Sequence, residues 1–215
     1  MRRVLCAFLL AAAAVPEELR TPGEEVIAEL RAALRSGDGE AAAKALSEVG
    51  ALYRYPASPE EGKALLKAAA EAAGAPDPRI ARAALQALGE TRSPAAGPAI
   101  EPFLRSVQPA AGQRELALAA LEAAGRLASP ALVTALLAHA RRSPDLVLAE
   151  QALRSLGGYD TAPPKLRIQV TDKVLDAARG LSKRRNPWKR LRGPALRALE
   201  RLCGRPLNTI RHFEQ

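Results

Sequence analysis

The sequence is short of the side chains that build sheets, metal centres and disulfide frameworks. Aromatic residues make up 3% of its 215 positions, and it holds two Cys, two His and one Met. Scarce aromatics leave extended sheets without the groups that cover a pleated surface. With two His and two Cys in all, a multi-ligand zinc site is not expected. Phosphate loops of the GxxxxGK[ST] type, GxGxxG after a strand, HExxH and GxSxG are all missing. Neither His139 nor His212 has a local triad partner, so no catalytic, cofactor-binding or metal residue is assigned and no enzymatic chemistry is expected. What remains is Ala and Leu, the leaders of the helix propensity ranking. With 48% hydrophobic and 26% charged residues, the chain can build a packed core, and its length suits one domain or one short array.

The first residues read as a secretory signal. Arg2 and Arg3 precede an apolar run, Val4 to Val15, and Ala11 to Ala14 supply the small residues of an A-x-A cleavage site. That run is well short of the roughly 20 residues of a membrane-spanning helix. Residues 1–14 are therefore expected to be a signal peptide, with no transmembrane segment after cleavage and the protein exported to a periplasmic or extracellular site. Only Cys203 would then remain, excluding an intramolecular disulfide; beside Leu202 at a helix end it reads as a small buried residue.

One pattern recurs along the chain: Ala-Leu-x-x-apolar-Gly. It appears as Ala45-Leu46 with Val49-Gly50, Ala84-Leu85 with Leu88-Gly89, Ala120-Leu121 with Ala124-Gly125, and Ala152-Leu153 with Leu156-Gly157. A fifth copy, Ala195-Leu196 with Leu199, carries Glu200 in place of the Gly. Each copy sits on an amphipathic helix; Ile80, Ala84, Leu85 and Leu88 share one stripe. Asp77 and Pro78 mark a helix start, and Gly89 is expected to end that helix in a left-handed conformation. After a short loop, Ser93-Pro94 starts the next helix. Small residues at Ala41, Ala45, Ala83, Ala87, Ala119, Ala123 and Ala149 would let neighbouring helices sit close together.

The stretch Asp77 to Gly89, followed by Ser93-Pro94 and Ala99, resembles a HEAT repeat of the short bacterial, PBS-lyase HEAT-like kind. The resemblance spans about residues 38–205. It implies an all-α fold: an α-solenoid of about five antiparallel helix pairs, with Glu24 to Ser36 as an N-terminal capping helix. The expected organisation is a linker and cap over 15–37, then a solenoid over 38–215 with units near 38–74, 77–107, 112–142, 144–182 and 187–214. Phe213 would pack back as a terminal cap. HEAT-like repeats also occur in bilin lyases, but nothing beyond the repeat points to pigment chemistry.

Single ionisable residues read as structural. His139, near the end of a helix over 132–142, would suit the helix dipole as a cation. The pairs Glu17-Glu18, Glu24-Glu25 and Glu60-Glu61 fall at or near helix starts, where negative charge is favourable by about 0.3–1 kcal/mol. Adjacent residues point about 100° apart on a helix, so they form no paired acid–base site.

The charge is uneven. Residues 15–61 hold ten acidic and five basic residues, whereas 179–211 hold eleven basic residues and one acid, Glu200. The densest part, Lys183, Arg184, Arg185, Trp188, Lys189, Arg190 and Arg192, joins the fourth unit to the fifth. Two readings stand. One is a binding surface for an anionic partner: a protein, another polyanion or an anionic lipid surface. The other is a solvated inter-repeat loop with Trp188 packing inward. The expected function is non-catalytic protein–protein interaction by a solenoid surface, possible anionic contact falling at the basic end. The alternative is a nucleic-acid-binding HEAT-like protein, and a third option a lyase or enzyme-associated subunit. Export would remove the chain from most nucleic acid.

Overall fold

The structure, a computed structural model, describes residues 20–110, 112–204 and 206. The expected signal peptide, Glu17-Glu18, His212 and the Phe213 cap lie outside these residues. Among the described residues the protein is all-helical, with ten α-helices and no strand. They are α1 (Pro22–Ser36), α2 (Gly39–Leu52), α3 (Pro59–Ala73), α4 (Pro78–Glu90), α5 (Gly97–Leu104), α6 (Arg114–Leu127), α7 (Val133–Arg142), α8 (Leu146–Gly157), α9 (Pro164–Ser182) and α10 (Arg185–Cys203).

Local chemistry sets most helix starts. Thr21 and Glu24 form a capping box on α1, Asp38 accepts from the Glu40 and Ala41 N–H groups, and Ser58 accepts from Glu61. Asp77 accepts from Arg79 N at 2.8 Å, and Asp145 caps α8 through Val147 N at 2.9 Å. Each side chain satisfies a backbone donor that has no partner inside its helix, worth about 1 kcal/mol.

The even-numbered helices, which carry the motif, pack side by side in chain order: α2 on α4, α4 on α6, α6 on α8, α8 on α10. Each also packs on the helix just before it, so α1 lies against α2 as α3 lies against α4. The helix after the motif touches its motif helix much less. A two-residue turn at Gly37, φ 72°, holds α1 against α2, while α2 and α3 are separated by residues 53–58.

The motif supplies the core between these layers. Ala84, Ala120, Ala152 and Ala195 are fully buried, as are Leu46, Leu85, Leu121 and Leu153. Ala41 departs from expectation: it is exposed in the first turn of α2, and its neighbour Ala42 is buried instead. Ala83 is only half-buried.

Gly89 also departs from expectation. It lies inside α4 without a left-handed backbone, and its role is close approach. A Cβ on Gly89 would lie 2.9 Å from Ala123 Cα, one on Gly125 2.7 Å from Ser155 Cα, and one on Gly157 3.1 Å from Ala198 Cα. Gly50 meets Ala87 Cα in the same way at 3.3 Å. Every motif Gly thus receives the small residue three places after the motif Ala of the next copy. Ser155 keeps the size and adds a hydrogen bond, its Oγ donating to Leu121 O at 2.6 Å. In α10, Glu200 occupies the Gly position.

His139 is the remaining departure. It is fully buried, and its Nε2 donates to Leu104 O at 3.1 Å, tying α7 to the end of α5. Burial holds its pKa below the ordinary value, so it is a neutral tie and not a cation at a helix end. The folded state therefore binds a proton less readily than the unfolded chain. Its contribution to stability is fully present above a pH of about 6.5 and is lost as pH falls through the folded-state pKa, by at most about 1.4 kcal/mol per pH unit. Urea midpoints at pH 7.5 and 5.5 should show the protein losing more stability on acidification than His139→Gln. Equal losses would reject His139 as the source.

Candidate functional site

The basic stretch is mostly helix. Only Lys183 and Arg184 connect α9 to α10; Arg185 opens α10, and Pro187 falls in its first turn, where proline is tolerated. The reading of this stretch as an inter-repeat loop is corrected accordingly: α10 begins at Arg185 and takes in the rest of it. Along α10, Leu191, Ala195, Ala198 and Leu202 are buried, and Trp188 packs half-buried against the same core.

This helical phase sorts the candidate residues. Trp188 points its ring at the core. Arg190 Nε lies 3.8 Å from Glu150 Oε2 on α8, and the other oxygen of that carboxylate holds Arg154 at 2.6 Å. Arg184 Nη1 donates to Arg141 O at 3.2 Å, capping the last turn of α7. Lys183, Lys189 and Arg192 are exposed and form no ion pair with any described residue. Arg185 is placed by its backbone at the start of α10. The stretch thus divides into two tethered arginines, a core-packed tryptophan and three solvated cations.

The acidic start has its own internal use. Glu61 is buried, accepting from Gly23 N at 2.9 Å and from Ala57 N, so it joins the starts of α1 and α3. Hydrogen bonding from the Thr21 hydroxyl, then from Ala57 and Gly23, outweighs burial and holds its carboxyl below the usual range. Glu61 therefore does more than complement a helix dipole.

Tyr159, His139, Asp160 and Asp172 play separate parts and form no catalytic group. Tyr159 is buried with its hydroxyl donating to Ser129 O at 2.7 Å, His139 is bonded to Leu104 O, and Asp172 is exposed on α9. Asp160 lines a cleft and binds Arg201, from Nε at 3.0 Å and Nη2 at 2.9 Å. Cys203, expected to be buried, is exposed on the last turn of α10, where Leu202 takes the inward position. Among the described residues there is no cluster of three or more His, Cys, Asp or Glu suited to a metal ion, and no helix long and apolar enough to cross a membrane.

Set against known proteins, the chain matches no family model and no curated protein. Among solved structures it is similar to the crystal structure of an engineered protein, at 15% identity and a TM-score of 0.43. That likeness covers 86% of this chain and 99% of the other.

Sequence reasoning missed the cleft that Asp160 lines, between the ends of α6, α8 and α10. Its arginines, Arg92, Arg126, Arg154 and Arg201, come from distant parts of the chain. The available signal was Gly157-Gly158, a second Gly where other copies carry a larger residue after the motif.

Proposed function

We propose that the chain is a HEAT-like α-solenoid that acts by binding and carries no chemistry of its own. It would be exported, with an anionic protein partner docking on the α9–α10 edge. The in-order stacking of the five motif helices supports the solenoid. The observation that carries the binding reading is the trio Lys183, Lys189 and Arg192, exposed cations that pair with no carboxylate among the described residues. Such a surface attracts an acidic partner and speeds encounter. Trp188 favours a protein over a nucleic acid: its ring packs on the core and is not presented as a base-stacking platform.

The test is affinity capture of the tagged protein from its own cell envelope, beside the variant Lys183→Glu/Lys189→Glu/Arg192→Glu. A protein partner retained by the parent and lost by the variant is expected. A partner held equally by both would reject this edge as the site. Recovery of nucleic acid alone, lost between about 50 and 200 mM salt, would favour the nucleic-acid reading instead.

A further inference from the structure

The cleft at the ends of α6, α8 and α10 stands apart from the basic edge, and its origin lies in a break in the repeat. In most copies the residue after the motif Gly position lies over the Gly of the preceding copy. Glu90 lies over Gly50, Arg126 over Gly89 and Arg201 over Gly157; the two arginines place Cδ 3.6 and 3.7 Å from where the Gly Cβ would be. In the fourth copy that residue is Gly158. A Cβ there would collide with the carbonyl oxygen of Gly125, so no side chain can occupy the place. The hollow left is a cleft of about 330 Å³. Gly125 and Gly158 both line it.

The walls of that hollow are charged. Arg126 pairs with Glu122 at 2.9 Å, Arg154 with Glu150 at 2.6 Å, and Arg201 with Asp160 at 2.9 Å. Arg92 is exposed at a left-handed position, φ 52°, and makes no ion pair with a described residue. A guanidinium carries five N–H donors, and the Glu122 and Glu150 pairs use one nitrogen each on Arg126 and Arg154. Donors therefore remain to grip a further carboxylate, in the planar arrangement that suits arginine.

We infer that this cleft binds a carboxylate side chain of an acidic peptide segment. Glu122 and Asp160 stand in the same walls and repel a polyphosphate, whereas a peptide brings N–H donors beside its carboxylates and can satisfy both signs. The volume suits one or two side chains and not a strand of nucleic acid. The site does not depend on the α9–α10 edge for its geometry, so the two readings can fail separately.

The probe is the peptide acetyl-Gly-Glu-Glu-Gly-amide, titrated into ¹⁵N-labelled protein and followed by amide shifts. Saturable shifts at Gly125, Ser155 and Gly158 are expected. Arg92→Asn/Arg154→Ser should weaken binding about tenfold, as loss of charge-assisted hydrogen bonds requires; Asn tolerates the left-handed backbone at position 92. Lys183→Ser/Lys189→Ser/Arg192→Ser should leave these shifts unchanged. Both variants alter exposed side chains, and an unchanged thermal transition confirms that each is folded. Shifts confined to α9–α10, unsaturable shifts, or tighter binding of inorganic triphosphate at the same amides would overturn the proposal.

Discussion

Gly125→Ala is expected to destabilise the protein by about 2 kcal/mol, although alanine is the better helix former by about 1 kcal/mol. Gly125 lies inside α6, and its added Cβ would meet Ser155 at three points: Cα at 2.7 Å, Cβ at 2.9 Å and the backbone oxygen at 3.1 Å. Two of these are backbone atoms of α8, so a rotamer change cannot relieve the clash. Helix α8 would have to move, stretching the Ser155 Oγ bond to Leu121 O. Gly180→Ala is the matched control, because Gly180 is also helical and its Cβ would meet nothing within 4 Å. It should gain about 0.5–1 kcal/mol. Gly89→Ala should lose stability with a smaller margin, given 2.9 Å to Ala123 Cα, and Gly157→Ala less again at 3.1 Å to Ala198 Cα. Urea unfolding of the four variants checks the order. If all four gained stability alike, helix propensity would account for these positions and the close contact with the next copy would not.

These glycines mark where the sequence could and could not be read. Helix starts were legible where capping is local: Asp77-Pro78 places a side-chain acceptor within two residues of the donor it serves. The all-α class followed from composition and from the Ala-Leu stripes, which became the core. The purpose of Gly89 was not legible from one copy, since a helix stop and a close crossing both call for glycine. What separates them is the small residue it meets in the next copy, Ala123, and that contact spans 34 residues of sequence. The same limit applies to His139, whose partner Leu104 is on another helix and whose burial no local pattern reveals. At Lys183–Arg192, high charge suggested a loop, yet Trp188, Leu191 and Ala195 already carried the helical spacing of a buried face. The arginine-lined cleft was the least visible, because it exists only where four separated segments meet.

Tyr159→Ala is expected to be the most damaging single change, at about 3–5 kcal/mol. Among the described residues Tyr159 is the largest fully buried side chain, in a chain with few aromatics. It sits in the short 3-10 turn Gly158–Thr161, which joins α8 to α9 and also packs on α6 and α10. The ring is buried at the junction where this turn meets four helices. Truncation would leave a cavity as well as removing apolar burial. Tyr159→Phe separates the two contributions. It keeps the ring but leaves Ser129 O without the hydroxyl it accepts from at 2.7 Å, a loss of about 0.5–1.5 kcal/mol. Burial pushes the phenol pKa well above its ordinary value, so this donor stays protonated and the Tyr159→Phe penalty should be equal at pH 7 and pH 9.5. Thermal unfolding at both pH values measures it. A Tyr159→Ala loss no larger than that of Tyr159→Phe would show that the ring is not what holds this junction together.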